Sequence, residues 1–389
     1  MARLFPTVLF LSALLAGATG VPAAAADMAK PKARPESPFE LGAQTPHHIL
    51  ARVDTAPARA ILSLLTGGAD APATLKILKA STSVSQALKQ EGMNPDDFFG
   101  RLVAAAAGTP DALLATYSSK AGAYRAILDA LDADGSPLVA LEGQRIAGLL
   151  PTEPLVVTAE LVYVPFFSVA GFADVMTVRE GDKSSLFAEL PRIAGESLDN
   201  APPRETMLKL IRSASAEGWI SLFNFHFRKP PVWPEEKSAT FEVLLARTVA
   251  EGPATLFLFP DEFFPITALF EEPILRSFAR WNHAVDGLVD PKKKESERSD
   301  IVAEASRGDF WGRYTAIVGA QMAETLIRQV GRGEYLKALA AGPRAVATLY
   351  LTATKGTKVP TFGKTARKEL EHQPAPEKAA AVAVPVSNN

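Results

Sequence analysis

The chain contains no cysteine. That excludes disulfides, thiolate metal ligands, a cysteine nucleophile and the lipid-attachment cysteine that would tether an exported protein to a membrane. Histidine is scarce as well, limited to His47, His48, His226, His283 and His372, so any metal chemistry has few imidazoles to draw on. An excess of one charge sign is also missing, with 41 Lys+Arg facing 43 Asp+Glu. Such a balance gives no basic face for nucleic acid or anionic lipid, and no nucleic-acid partner is expected. Past the N-terminus no apolar run approaches the roughly 20 residues that cross a bilayer, so the mature chain is expected to have no membrane span. There is no Gly-x-Ser-x-Gly elbow and no phosphate-cradling glycine loop.

What is present is ordinary globular composition, 47% hydrophobic over 389 residues. Met1 to Ala26 reads as a signal peptide: Arg3, an apolar core from Leu4 to Ala16, then Ala24-x-Ala26 as a small-residue cleavage site. The core is short for a membrane anchor. The expectation is export, to the periplasm or beyond, with cleavage near Ala26. Residues 27–44 are rich in Pro, Ala, Lys and Glu without periodicity and read as a flexible leader. Residues 45–355 read as one large, mostly helical domain, and 356–389 as a disordered tail of Ala, Pro, Lys, Glu and Val.

From Asp54 onward the pattern is helical. Ala56–Leu65 carries a stripe of Ala60, Ile61, Leu64 and Leu65, and further helices are predicted up to Leu150. Asn94-Pro95-Asp96-Asp97 is a strong start signal, with an Asn cap, a first-position Pro and carboxylates at the positive end of the dipole. Leu155–Val164 and Phe172–Arg179 are rich in β-branched residues and predict two strands of a small antiparallel element. Helices are predicted again over Pro202–Ala216, ending at Glu217-Gly218, and over Thr240–Phe259, Phe270–Leu288, Gly312–Val330, Tyr335–Ala340 and Pro343–Leu351. Pro291–Arg298 reads as a charged connection. The fold class is mainly α (α+β).

Between the strands and the later helices lies Ser184–Arg192, read as a helix capped by Ser184 or Ser185. Its centre, Ala188-Glu189-Leu190-Pro191-Arg192, has the frame of His-Glu-x-x-His with both imidazoles missing. Downstream come Glu251-Gly252-Pro253-Ala254, then Gly312-Arg-Tyr-Thr-Ala-Ile-Val-Gly-Ala-Gln-Met-Ala323, then Gly342-Pro-Arg-Ala-Val-Ala-Thr-Leu-Tyr350. In this order, from Asp54 to Tyr350, the pieces resemble an uncharacterised family of gluzincin-like zinc-dependent peptidases. There a strand pair leads into the His-Glu-x-x-His helix, and a later Glu-Gly-x-Ala helix supplies the third ligand.

The resemblance implies a multi-helical metallopeptidase-like scaffold. It places Glu189 at the general-base position, Ala188 and Arg192 at the two imidazole positions, and Glu251, or alternatively Glu217, at the third-ligand position. Ala has no donor atom, and a guanidinium offers a metal no lone pair. No cofactor is therefore expected. Pro191 is expected to kink the helix. Arg192 is read either as bridging Glu189 and Glu251 where zinc would sit, or as an ordinary helix pair with Glu189 or Glu196.

His226 and Tyr350 are further cleft candidates, and the aromatic segment Phe223–Trp233 is read as a groove wall or as core. His47 and His48 read as loop residues, His283 as structural, and His372 as part of the tail. The function expected is non-catalytic binding of a peptide or protein in the old substrate cleft. Two alternatives stand beside it: an active zinc-dependent hydrolase rebuilt around His226 with Glu217 or Glu251, and a helical envelope protein of unrelated role.

Overall fold

The computed structural model describes residues 45–67, 71–168, 174–235, 238–259, 267–307 and 312–372. The signal-peptide and leader assignments, 1–26 and 27–44, lie outside them, as does 373–389. The described residues belong to one compact unit, mainly helical with a small four-stranded mixed sheet.

A first strand, β1 (His48–Val53), leads into α1 (Ala56–Leu65), α2 (Ala71–Ala80), α3 (Thr82–Gln90), α4 (Pro95–Ala106), α5 (Ala112–Ser119) and α6 (Ala121–Ala130). A π turn, Leu131–Gly135, joins α6 to α7 (Ser136–Gly148). The α4 cap is the one its sequence predicts, and a second side chain caps α5. Asn94 Oδ1 accepts from Asp96 N at 3.0 Å, with Pro95 next in the chain. Asp111 Oδ1 accepts from the Leu113 and Leu114 nitrogens.

The sheet adds β2 (Thr158–Phe166), β3 (Val175–Glu180) and β4 (Lys183–Glu189), in the order β1-β2-β4-β3. β1 and β2 are parallel, with Ala51 opposite Leu161, and β2 and β4 are parallel, with Val164 opposite Phe187. Only β3 and β4 run antiparallel, with Val178 opposite Ser185. The two predicted strands therefore do not pair with each other, because β4 lies between them. β1 departs from expectation too. His47, expected in a loop, is buried just before it, its Nδ1 accepting from Val157 N and its Nε2 donating to Pro151 O, both at 2.9 Å.

The larger correction concerns Ser184–Arg192. Residues 183–189 are strand, not helix, and Ser184 and Ser185 lie within it rather than capping anything. Six consecutive residues from Ser184 to Glu189 are buried, because Gly218 approaches Leu186 on one face and Phe187 packs on Phe166, itself stacked on Phe98 of α4, on the other. A strand covered on both faces reads as an apolar run without alternation, which periodicity does not separate from helix. Pro191 is the second residue of a short helix, α8 (Leu190–Ala194), where its missing N–H has no partner to lose, so no kink arises. A 3₁₀ turn, Gly195–Asp199, follows.

α9 (Pro203–His226) runs through Glu217-Gly218 instead of stopping there. Gly218 is a packing residue: a Cβ there would approach Leu186 Cδ1 of β4 to 3.1 Å and Leu161 Cδ1 of β2 to 3.4 Å. Removing that Cβ lets α9 lie close on the sheet. Next to it, Trp219 Nε1 donates to Leu149 O at 3.1 Å. Trp219 stacks on Phe223, and Trp233 meets Phe223 edge to face, all within the core, so the segment 223–233 is mainly packing rather than groove wall.

The C-terminal half comprises α10 (Phe241–Leu256), α11 (Thr267–Val289), α12 (Glu295–Ala305), α13 (Tyr314–Val330), α14 (Arg332–Ala341), α15 (Pro343–Ala353) and α16 (Lys364–Glu371). Thr240 caps α10 by accepting from Val243 N. α12 occupies sequence partly read as a charged connection, and buries Val302 and Ala305. The expected disordered tail is ordered as far as residue 372. Phe362, 2% exposed, stacks on Trp281 at 4.7 Å, and the Arg344 guanidinium donates to the Glu369 and Leu370 carbonyls. The buried Phe362 ring and the Arg344 hydrogen bonds together dock this polar segment. Among the described residues no helix is long and apolar enough to cross a membrane.

Candidate functional site: a charged cleft at Glu217 and Glu251

α9, α10 and the start of α13 enclose a cavity of about 590 Å³. From α9 it receives Ala216, Glu217 and Ile220, and from α10 it receives Glu251. Residues 216 and 220 are one helical turn apart and so share a face. In a His-Glu-x-x-His helix those are the two imidazole positions, with the Glu directly after the first. The same frame is met here as Ala216-Glu217-Gly218-Trp219-Ile220, with Glu251 facing the same space from the next helix.

The structure thus separates the residues that the sequence grouped. Glu217 and Glu251 share this cleft. Glu189 lines a different cavity, of about 410 Å³, at the end of β4, where its Oε2 accepts from Ser168 N at 2.9 Å. Ala188 is fully buried within β4, not one turn from Arg192 on a helix. Arg192 stands between the two cavities and lines both, its Nε 2.5 Å from Asp174 Oδ1. That exposed ion pair takes the place of the expected bridge from Glu189 to Glu251.

Each cleft carboxylate has its own support. Glu251 accepts from Thr315 Oγ1 at 2.6 Å and from Ser306 Oγ at 3.0 Å. Thr315 is the second residue of α13, and its distance is fixed by the close approach of α13 to α10. Glu217 accepts from Thr177 Oγ1 of β3 at 3.2 Å. Burial pushes the Glu217 carboxyl up to about 7, against the opposing pull of the Thr177 hydrogen bond and the Arg313 charge. Near neutral pH it is therefore partly protonated and can donate as well as accept.

Cations outnumber acids in the cleft. Arg192, Lys209, Arg212 and Arg313 face Asp174, Glu217 and Glu251. With Glu217 partly neutral, the surplus positive charge grows. The buried Arg313 Nε has no hydrogen-bond partner among the described residues.

The remaining candidates lie elsewhere. His226 ends α9 nine residues beyond Glu217, about 13 Å along the axis at 1.5 Å per residue, which is too far for joint ligation of one ion. It lines neither cavity, and its Nε2 accepts from Arg179 Nη2 at 3.2 Å. Burial and the Arg179 and Lys229 charges hold its pKa below the usual imidazole value. Tyr350 is fully buried and donates to Pro360 O at 2.5 Å, inside the ring cluster with Phe278 and Phe362.

The donor set does not fit zinc. Ala216 and Ile220 carry no lone pair where two nitrogens would be needed. Among the described residues no three His, Asp or Glu side chains are grouped to hold a metal ion. Sequence reading missed Ala216, Ile220, Lys209, Arg212 and Arg313. The available signal was the pentad beginning at Ala216, hidden because Gly218 was read as a helix stop. No family model, curated protein or solved structure matches the chain.

Proposed function

We propose that the cleft at Glu217 and Glu251 binds an acidic peptide or protein segment without hydrolysing it, on a scaffold resembling a metallopeptidase that has lost its nitrogen ligands. The observation that carries this reading is the convergence of Ala216, Glu217, Ile220 and Glu251 on one cleft. The spacing of a His-Glu-x-x-His helix with a facing Glu supports this reading, and Ala216 and Ile220 offer no atoms to hold a metal. The surplus of cations favours an acidic ligand, and the unpartnered Arg313 Nε offers it a charge-assisted hydrogen bond. Asp174 and Val175, at the start of the edge strand β3, also line the cleft. An extended chain crossing the cleft would run beside a strand that pairs only with β4 among the described strands. The same reading takes the chain to act after export, with Asp27 as the mature N-terminus, which N-terminal sequencing of the secreted product would show.

The test is fluorescence anisotropy with a labelled peptide rich in Asp and Glu, beside a counterpart carrying Lys at those positions. The acidic peptide binds and is recovered intact by mass spectrometry, and Arg313→Ala weakens it about tenfold, the weight of one charged hydrogen bond. Equal binding of the basic counterpart, or cleavage of the peptide, contradicts the reading.

A further inference from the structure

The second cavity, of about 410 Å³, lies between α5, α6 and the junction of β4 with α8. Its walls are mainly apolar and aromatic, with Leu113, Tyr117, Tyr124, Pro191 and Leu198 among them. Glu189, 4% exposed, supplies the buried carboxylate that lines it. We propose that this cavity is a binding site for a primary ammonium group on an alkyl stem, the chemistry shared by a lysine side chain and a free alkylamine.

Burying a carboxylate beside apolar walls costs free energy unless a cation or donors compensate it. Ser168 supplies the donors, its main-chain nitrogen to Oε2 at 2.9 Å and its side chain besides, and no buried cation joins them among the described lining residues. The Ser168 carbonyl is held in turn by Tyr117 Oη at 2.8 Å, which fixes the loop that carries the donor. Both phenols stay neutral. Burial first, and the Glu189 charge second, raise Tyr117 and push Tyr124 up to about 12. Among the described lining residues the carboxylate is then the one buried charge, and the rings add faces that attract cations. The two cations that also line the cavity are engaged with acids outside it. Lys120 Nζ lies 2.8 Å from Asp199 Oδ2, and Arg192 Nε lies 2.5 Å from Asp174 Oδ1. An alkyl stem would cover Leu113 and Leu198, and its ammonium would reach the acid. A carboxylate ligand would instead meet Glu189 as a like charge.

Proton linkage follows from the same surroundings. Burial raises Glu189 to about 7, against the pull of the Ser168 backbone and side-chain hydrogen bonds and, more weakly, of the Arg192 charge, with a small added push from Glu91. An ammonium ion favours the ionised form, so binding releases a proton near neutral pH and tightens as pH rises through about 7. The two phenols, raised by burial, stay protonated across that range.

This site does not rest on the function proposed for the Glu217 cleft. Its test is isothermal titration of the full chain with n-butylammonium chloride, with n-butanol as the uncharged control, and with an acetylated, amidated Gly-Lys-Gly peptide. The amine binds and the alcohol does not. Glu189→Gln, which keeps an acceptor for Ser168, weakens the amine about tenfold or more. At the exposed wall position Leu113, 37% accessible, Leu113→Glu and Leu113→Arg lose the same apolar cover and differ in charge, so the Glu variant binds the amine more tightly than the Arg variant. Binding of both amine and peptide assigns the site to a partner's lysine, and binding of the amine alone assigns it to a small free amine. Equal binding of amine and alcohol, an unchanged affinity in Glu189→Gln, or no binding of either ammonium at about 10 mM, the weak end of small-ligand affinity, overturns the proposal.

Discussion

Gly252 of α10 and Gly319 of α13 meet backbone to backbone. A Cβ on Gly252 would lie 2.3 Å from the Gly319 carbonyl carbon, and one on Gly319 would lie 1.9 Å from the Thr248 oxygen. Neither helix can move aside locally, because the obstacle is main chain rather than the tip of a flexible side chain. The contact also sets the site, since Glu251 precedes Gly252 and bonds to Thr315 of α13. Gly319→Ala is expected to lower stability by about 1–3 kcal/mol or more through overpacking. Urea denaturation would show it as an earlier midpoint at unchanged slope. Acidic-peptide binding should weaken in the same variant, because Glu251 and Thr315 are pushed apart.

The Phe362 ring gives a second prediction. It docks the segment after α15 onto α11 by stacking on Trp281 and packing near Phe278 and Tyr350. Phe362→Ala should cost about 3–5 kcal/mol, as for other fully buried aromatics. An unchanged urea midpoint would mean that 356–372 contributes nothing to the fold.

These two sites show how far the sequence could be read. Helix starts were legible where a side chain itself does the capping, as at Asn94, Asp111 and Thr240, because the cap is a local interaction between near neighbours. β4 was not legible, because Leu186, Phe187 and Ala188 are buried together and leave no alternation to read. Gly218 and Gly252 looked alike in sequence, each after a Glu, yet one packs on a sheet and the other on a helix. Within the site, Glu217 and Glu251 stood out because carboxylates carry chemistry. Ala216 and Ile220 did not, since an alanine or isoleucine declares no role until the fold shows which cavity it faces. Phe362 was lost in a segment whose average composition is that of a tail.

The third prediction concerns pH. Glu217 is raised in the folded protein to about 7 from its ordinary 4.5. The folded state therefore holds a proton that the unfolded state releases between those values. Its stabilising share is present below about 4.5 and is lost as pH rises through about 7. Glu217→Gln, which stays neutral, should be more stable than the parent at pH 8 by about 1–3 kcal/mol, allowing for partial solvent screening, and little different at pH 4.5. Urea midpoints at the two pH values would check it, and a gain of equal size at both would point to packing instead.

The most direct measurement introduces two nitrogens on the cleft face of α9. In Ala216→His, Ile220→His, two imidazoles one turn apart on α9 would face Glu251 across the cleft, giving a His₂Glu set. Metal analysis and zinc titration of that double variant, with circular dichroism to confirm its fold, should find one tightly bound zinc where the parent binds none. The paired control, Ala188→His, Arg192→His, should acquire no site, because residue 188 is buried in a strand. A folded Ala216→His, Ile220→His variant that binds no zinc, or a control that does, would contradict the proposed likeness of this face of α9 to a metal-ligand helix.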